Sequence, residues 1–176
     1  MHSSILDFAG LSAGLLVARV VFGLLMAGHG SQKLLGWFGG HGIAGTGTFF
    51  EALGFRPGRL FATIAATTEI VSGILIALGL LGPVGPALML SVMIVAVVSV
   101  HWKNGLWAQT GGIELSLFYG TVAVALALTG FGAYSIDAAL GLQSLYTPTL
   151  AVVALAIGFI GGVGNLLARK PVVAAA

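Results

Sequence analysis

A long apolar stretch that contains ionisable residues constrains the fold of this chain more than any other feature. Residues 15–38, LLVARVVFGLLMAGHGSQKLLGWF, are apolar enough to enter a bilayer but include Arg19, His29 and Lys33. An ionisable side chain at the centre of a membrane helix costs about 2.5–3.5 kcal/mol on insertion scales. We therefore expect another segment of the chain to supply Arg19 with a compensating partner.

The composition extends this conclusion to the whole chain. Of its 176 residues, 58% are hydrophobic and only 7% are charged, whereas soluble domains carry roughly 25% charged residues. We expect a single integral membrane domain over residues 1–176. The net charge of +2 comes without a basic cluster, so nucleic-acid binding is not expected, and the absence of Cys excludes disulfides and thiolate metal sites. The first ten residues contain Asp7 and lack a basic signal-peptide region, so the first apolar segment is expected to be retained.

Hydropathy predicts an all-α, polytopic transmembrane helical bundle. A spanning helix needs about 20 mostly apolar residues, and the candidates are residues 11–35, 60–82, 84–101, 113–131 and 149–168. A Gly-Pro-Val-Gly-Pro turn at 82–86 makes the second and third helices antiparallel neighbours. Within the Gly-rich connection 36–59 we expect a short interfacial helix over residues 46–53, and the segment 132–148 is expected to form a polar outside loop.

The basic residues predict the orientation. With five spans, one side of the membrane holds most of the Lys and Arg residues, and the opposite side holds Asp7 and Asp137. Under the positive-inside rule, the N-terminus is outside and the C-terminus is cytoplasmic. In a bacterial cell this orientation applies to the inner membrane. The residues that define the predicted cytoplasmic side are Arg56, Arg59, Lys103, Arg169 and Lys170.

The expected partner of Arg19 is Glu69 in the second helix. Arg19 lies about 12 Å inside the outer end of the first predicted helix, and Glu69 lies about 13–14 Å inside the cytoplasmic end of the second. In a hydrocarbon core about 30 Å thick, these depths are similar. The sequence therefore predicts a buried Arg19–Glu69 ion pair, and it leaves open whether this pair is a structural scaffold or has a function.

A second polar group is predicted nearer the cytoplasmic face. His29 and Lys33 are four residues apart and share one face of the first helix, while His101 ends the third helix and Glu114 begins the fourth. We expect these side chains to form a polar pocket below Trp37 and Trp102. Two alternatives stay open: Glu114 is also favoured at a helix N-terminus by the macrodipole, and the two histidines could serve only as interhelical hydrogen-bonding groups. Nothing else in the sequence supports haem ligation.

Six short motifs follow one another along the chain: Arg19 in the first helix, Gly30-Ser-Gln-Lys33, Glu69-Ile-Val-Ser-Gly73, His101, Gly112-Ile-Glu114 and Gly130-Phe-Gly-Ala-Tyr-Ser-Ile-Asp137. In this order they resemble the motifs of the DoxX family of small bacterial and archaeal membrane proteins. The resemblance extends from residue 12 to about residue 140.

The resemblance implies a four-helix membrane core and an association with redox systems, including the membrane part of a thiosulfate:quinone oxidoreductase. The fifth helix, 149–168, lies beyond that core. We expect a redox-associated subunit, accessory to a quinone-linked oxidoreductase, that binds quinone or quinol through His29, Lys33, His101 and Glu114. No flavin, metal cluster or haem is expected in this chain, so a redox partner protein or a homo-oligomer is implied. The alternatives are a non-catalytic membrane anchor for another protein and a small transporter that uses Arg19 and Glu69.

Overall fold

The computed structural model describes residues 2–170, with side chains described from residue 8, so the side chain of Asp7 lies outside the described part. Its residues form a bundle of α-helices joined by short turns, and no strand occurs between residues 2 and 170. The helices are α1 (His2–Leu35), α2 (Gly42–Ala52), α3 (Gly58–Leu78), α4 (Val84–Ala96), α5 (Glu114–Thr129), α6 (Ile136–Ala139) and α7 (Pro148–Leu167).

The predicted helical membrane bundle is confirmed. Among residues 2–170, four helical segments are long and apolar enough to cross a membrane: Phe8–Leu35, Gly58–Leu78, Val84–Asn104 and Pro148–Leu167. The third of these consists of α4, the π-helical turn Val97–His101 and the 3₁₀ turn Trp102–Asn104. Large apolar side chains such as Val17, Leu24 and Ile160 are exposed on the outside of the bundle, where lipid is the solvent that suits them.

Glycines bring α1 and α3 into close antiparallel contact. A Cβ atom built on Gly23 would lie 2.6 Å from the backbone nitrogen of Ala77, and one built on Gly30 would lie 2.6 Å from the Ile70 side chain. Small residues permit such an approach because no side chain separates the two backbones. The paired positions fix the register of α1 along α3.

The fifth apolar helix, α7, packs against α4 through a second pair of small residues. Gly158 and Gly162 are both buried on α7. A Cβ on Gly158 would lie 3.0 Å from the Ala87 carbonyl carbon, and one on Gly162 would lie 2.9 Å from the Ser91 carbonyl oxygen. This helix is therefore part of the bundle rather than an appendage. By contrast, a Cβ on Gly10 or Gly14, which have the same spacing on α1, would meet nothing within 4 Å.

Three segments differ from the sequence-based prediction. The second span ends at Leu78 rather than residue 82, because Gly79 adopts a left-handed conformation with φ +67 that ends the helix. The short helix predicted over 46–53 is longer, Gly42–Ala52, and packs along α3. The segment 132–148 is not an open loop: it contains α6, and the Asp137 side chain is buried.

The two ends of the bundle differ in charge. The Lys170 amide donates to the Gly54 carbonyl at 2.8 Å, which places the end of α7 beside the α2–α3 turn. We call this the basic end, and the end that contains α6 and the α3–α4 turn is the Asp137 end. The basic end carries Arg56, Arg59, Lys103, Arg169 and Lys170.

Replacing Gly158 by Val should destabilise the bundle. The added carbons would push α7 away from the α4 backbone, and overpacking of this kind costs about 1–3 kcal/mol. Thermal unfolding of the purified protein in detergent measures the effect. Gly164→Val is the matched control, because Gly164 is on the same helix and a Cβ there meets nothing within 4 Å. Equal losses of stability in the two variants would contradict the packing described above.

Candidate functional site: a cavity at the basic end

Arg19 does not pair with Glu69, so the predicted ion pair is wrong. The Arg19 guanidinium instead donates from Nη1 to the Ala77 carbonyl and from Nη2 to the Tyr134 carbonyl. Ala77 lies in the last turn of α3, where carbonyls have no partner within the helix and the helix dipole favours a cation. Two neutral backbone carbonyls therefore take the place of the expected carboxylate, and Arg19 Nε is buried without a hydrogen-bond partner.

The register of α1 on α3 explains this correction. Glu69 lies next to Ile70, which contacts Gly30, and Gly30 is eleven residues after Arg19. Eleven helical residues correspond to about 16 Å along the axis, too far for contact between Arg19 and Glu69. Depths counted from the ends of the apolar segments missed this separation because hydropathy places helix ends only within a few residues.

Arg19 belongs instead to a polar network at the Asp137 end. The buried Asp137 carboxylate accepts hydrogen bonds from the Leu81 amide at 3.0 Å and the Gly82 amide at 2.7 Å, and thereby holds the α3–α4 turn. Burial, and after it the nearby Asp137 carboxylate, raise the pKa of the Tyr146 phenol. The hydrogen bonds of this network run mainly to backbone groups of the α3–α4 turn and of the segment around α6. They therefore hold the helices together at this end of the bundle.

A cavity of about 460 Å³ lies toward the basic end, between α1, α2, α3, α4 and α7. Ligand cavities in proteins usually measure about 300–1,000 Å³ and combine apolar walls with a few polar groups. Phe49, Phe50, Phe55 and Phe61 supply aromatic wall on one side. The polar residues that line the cavity are Gln32, Lys33, His41, Thr46, Thr68, Glu69, Ser91, Ser99, His101 and Asn165.

An ion pair between Lys33 and Glu69 lies at the wall of this cavity. Lys33 Nζ donates to Glu69 Oε1. The side chain of Glu69 is only 4% exposed, whereas that of Lys33 is 33% exposed. Glu69 Oε2 is buried without a hydrogen-bond partner, and so is the Ser99 hydroxyl. Buried polar atoms in proteins are nearly always paired, so two unpaired ones beside one cavity indicate a place for a ligand group.

His101 lines the same cavity from a wide helical turn. The π-helical turn Val97–His101 continues α4, and single π turns often occur at functional sites. The Nδ1 atom of His101 lies 2.7 Å from the Gly111 carbonyl. Because a carbonyl only accepts, Nδ1 carries the proton, and Nε2 of the neutral ring is left as an acceptor.

The structure brings Lys33 and His101 to the cavity but not the other four residues predicted for it. His29 Nδ1 lies 3.2 Å from Gln32 Oε1, and its ring packs edge-on against Tyr119. Trp37 and Trp102 are exposed, at 58% and 67%. These positions show that spacing on one helix face does not by itself place a side chain in a cavity between other helices.

Glu114 is also outside the cavity, at the first residue of α5. Its Oε2 atom accepts a hydrogen bond from the Ala108 amide at 2.7 Å. The backbone amide of Glu114 donates to Leu106, and that of Ile113 donates to Gly105. The carboxylate therefore completes a loop whose backbone bonds largely to itself, as the helix-end alternative for Glu114 anticipates.

The contribution of α2 to the cavity could not be predicted from hydropathy. Its residues Thr46, Phe49 and Phe50 line the cavity, and Thr46 Oγ1 donates to the Lys33 carbonyl at 3.1 Å. The available signal was the pair of adjacent phenylalanines on a short helix next to Gly-rich chain. The end of α7 holds the adjoining turn, because Arg169 Nε donates to the Leu53 carbonyl at 2.9 Å.

The fold and the cavity together define a polytopic helical membrane protein with a largely apolar cavity that has an ion pair in its wall. A model of the DoxX family matches residues 14–102, about half of the chain, and the protein belongs to this family. The match includes Arg19, Lys33, Glu69 and His101. No curated protein and no solved structure matches the chain.

The Lys33–Glu69 pair predicts a specific pattern of energetic coupling. Lys33→Met should destabilise the protein by about 3 kcal/mol, because it leaves the buried Glu69 carboxylate unpaired. Adding Glu69→Leu should recover most of this loss. A cycle of Arg19→Leu with Glu69→Leu should be additive within about 0.5 kcal/mol, because the two sites share no contact.

Thermal and denaturant unfolding in one detergent would measure both cycles. A coupling energy larger for Arg19 with Glu69 than for Lys33 with Glu69 would contradict the ion pair described here. The comparison is internally controlled because both cycles use the same Glu69 variant.

Proposed function

We propose that this protein is a membrane subunit of a redox system that binds a quinone or quinol in the cavity at the basic end. The observation that carries the proposal is the combination of an aromatic wall with a buried Lys33–Glu69 pair and two unpaired polar atoms. A quinone head group has a flat apolar ring and two oxygen atoms, and such a cavity suits both features.

The polar groups match the chemistry that a quinone and a quinol require. A quinone carbonyl accepts hydrogen bonds, for which the Ser99 hydroxyl and Lys33 are donors. A quinol hydroxyl needs an acceptor, and Glu69 Oε2 and His101 Nε2 are candidates. Electron transfer itself requires a redox partner or cofactor, which the bound quinone would connect to the membrane.

The proposed setting is the bacterial inner membrane with the basic end in the cytoplasm. Five of the seven Lys and Arg residues belong to the basic end, in agreement with the positive-inside rule. The cavity would then face the cytoplasmic half of the membrane, and a redox partner protein would meet the protein there. The transporter alternative loses its basis, because Arg19 and Glu69 lie at different depths.

Quinone content tests this proposal. Protein purified gently from its native membrane should carry near-stoichiometric quinone in its organic extract, as measured by mass spectrometry. Ala65→Phe should reduce that quinone to the level of bulk lipid, because Ala65 lines the cavity and a phenyl ring would fill part of it. Thr67→Phe is the matched control, since Thr67 is exposed on the same helix.

Two results would count against quinone binding. The first is wild-type protein with no quinone above the level of bulk lipid. The second is quinone that Ala65→Phe and Thr67→Phe reduce equally. Either result would favour the membrane-anchor hypothesis, and cross-linking at the basic end would then identify the protein that is held there.

A further inference from the structure

We infer that the cavity opens sideways into the bilayer through a window between α3 and α7, which Ile64 and Asn165 border, and that its ligand is an amphiphile whose apolar tail leaves through this window. The inference rests on the proposed function for the head group and adds the route by which the ligand enters. It follows from which lining residues are also exposed on the outside of the bundle, and at what depth.

The cavity lies between two groups of packed helices. Helix α2 packs on α1 and α3, whereas α7 packs on α4 and α5. At the Asp137 end, the short turn between α3 and α4 joins the two groups, and the Asp137 carboxylate holds that turn. Toward the basic end the cavity separates the groups, with Ala65 and Thr68 of α3 on one wall and Ser91 and Val95 of α4 on the other.

The end of α7 bounds the window at the basic end. Arg169 Nε donates to the Leu53 carbonyl at 2.9 Å, and the Arg169 guanidinium carbon lies 5.5 Å from the centroid of the Phe55 ring. Asn165 lines the cavity one helical turn before Arg169, about 6 Å further from the basic end. Helices α3 and α7 therefore form the two sides of the window, and the Arg169 contacts close it below.

Ile64 and Phe49 mark the rim of the window. Both side chains line the cavity, yet 46% of Ile64 and 48% of Phe49 is exposed on the outside of the bundle. Ile64 is six residues after Gly58, the first residue of α3, which corresponds to about 9 Å along the helix. Because α3 is itself long enough to span the membrane, this rim lies within the hydrocarbon core. The window therefore faces acyl chains rather than water.

A second exposed part of the cavity wall has a different character. Gly39, His41 and Gly45 also line the cavity and are exposed, and they follow the first span, Phe8–Leu35. They therefore lie near the membrane surface, where they offer backbone groups and an imidazole. This opening suits water or a polar head group, whereas the rim at Ile64 and Phe49 offers apolar surface to a tail.

The polarity of the cavity wall changes in the same direction. Glu69 is five residues after Ile64 on α3, so the two side chains point roughly 140° apart around the helix. Glu69 and its partner Lys33 lie on the inner side, with the Glu69 side chain only 4% exposed, and Ile64 lies on the outer side. A ligand with a polar head inside and an apolar tail outside matches this arrangement.

Three probes with the same head group and different tails test the window. Each is a fully substituted benzoquinone, with a methyl group, a decyl tail or a long isoprenoid tail. Binding to the full-length protein in lipid nanodiscs is measured against the mole fraction of probe in the lipid, with the Ala65→Phe variant as background. We expect the three affinities to agree within about threefold, because a tail that passes from lipid to lipid exchanges no apolar surface with water. A closed cavity of about 460 Å³ would instead exclude the isoprenoid tail.

Ile64→Trp tests the position of the window. The larger side chain would narrow the gap between α3 and α7, so binding of the isoprenoid probe should weaken about tenfold while the methyl probe keeps its affinity. Thr67→Trp is the matched control, because Thr67 is exposed on the same helix and does not line the cavity.

A photoreactive probe locates the tail in the wild-type protein, whether or not the tryptophan variant folds. The decyl probe carries a diazirine on its tail near the ring, and peptide mass spectrometry identifies the labelled residues. Light should attach it near Phe49, Ile64 or Asn165, and an excess of the unlabelled decyl probe should prevent this labelling.

Three results would overturn the inference. If the methyl probe binds and the isoprenoid probe does not, the cavity has no lateral opening, although quinone binding itself stands. If Ile64→Trp and Thr67→Trp weaken the isoprenoid probe equally, or if the photolabel is confined to residues 39–45, the tail leaves by another route. If no probe binds above the Ala65→Phe background, the inference and the proposed function both fail.

Discussion

The close antiparallel contact of α1 with α3 sets the position of every intramembrane charge in this protein. Gly23 and Gly30 let the two backbones approach, and the register that results puts Arg19 beside the last turn of α3 and Lys33 beside Glu69. A shift of one helical turn would move each charge by about 5.4 Å and separate it from its partner. Packing and electrostatics therefore specify the same arrangement.

The helical class and most of the spans could be predicted from the sequence because hydropathy over 20 residues is a property of each segment alone. The partners of Arg19 and Glu69 could not. Both acceptors of Arg19 are backbone carbonyls, which every residue possesses, so no residue type marks them. Lys33 lines the cavity, but its pairing with Glu69 depends on an interhelical register that hydropathy does not report.

In the candidate site, too, some features could be predicted from the sequence and others could not. The sequence points to Lys33 through the helix face that it shares with His29, and to His101 through its place at the end of the third helix. The aromatic wall comes in part from α2, whose sequence resembles an interfacial connection. The family match includes both halves of the ion pair and His101, yet it ends at residue 102. Asp137 itself lies beyond that match, and its hydrogen bonds to the Leu81 and Gly82 amides explain its burial without requiring a ligand.

The short helix α5 has a consequence for the surrounding membrane. Its sixteen residues rise about 24 Å, less than the roughly 30 Å of a typical hydrocarbon core. On this side of the protein the bilayer must become thinner, or the loop before α5 must enter it. That loop can tolerate an apolar environment, because Glu114 Oε2 accepts from the Ala108 amide and the loop backbone bonds largely to itself. Membrane thickness is thus a variable to which this face of the protein is sensitive.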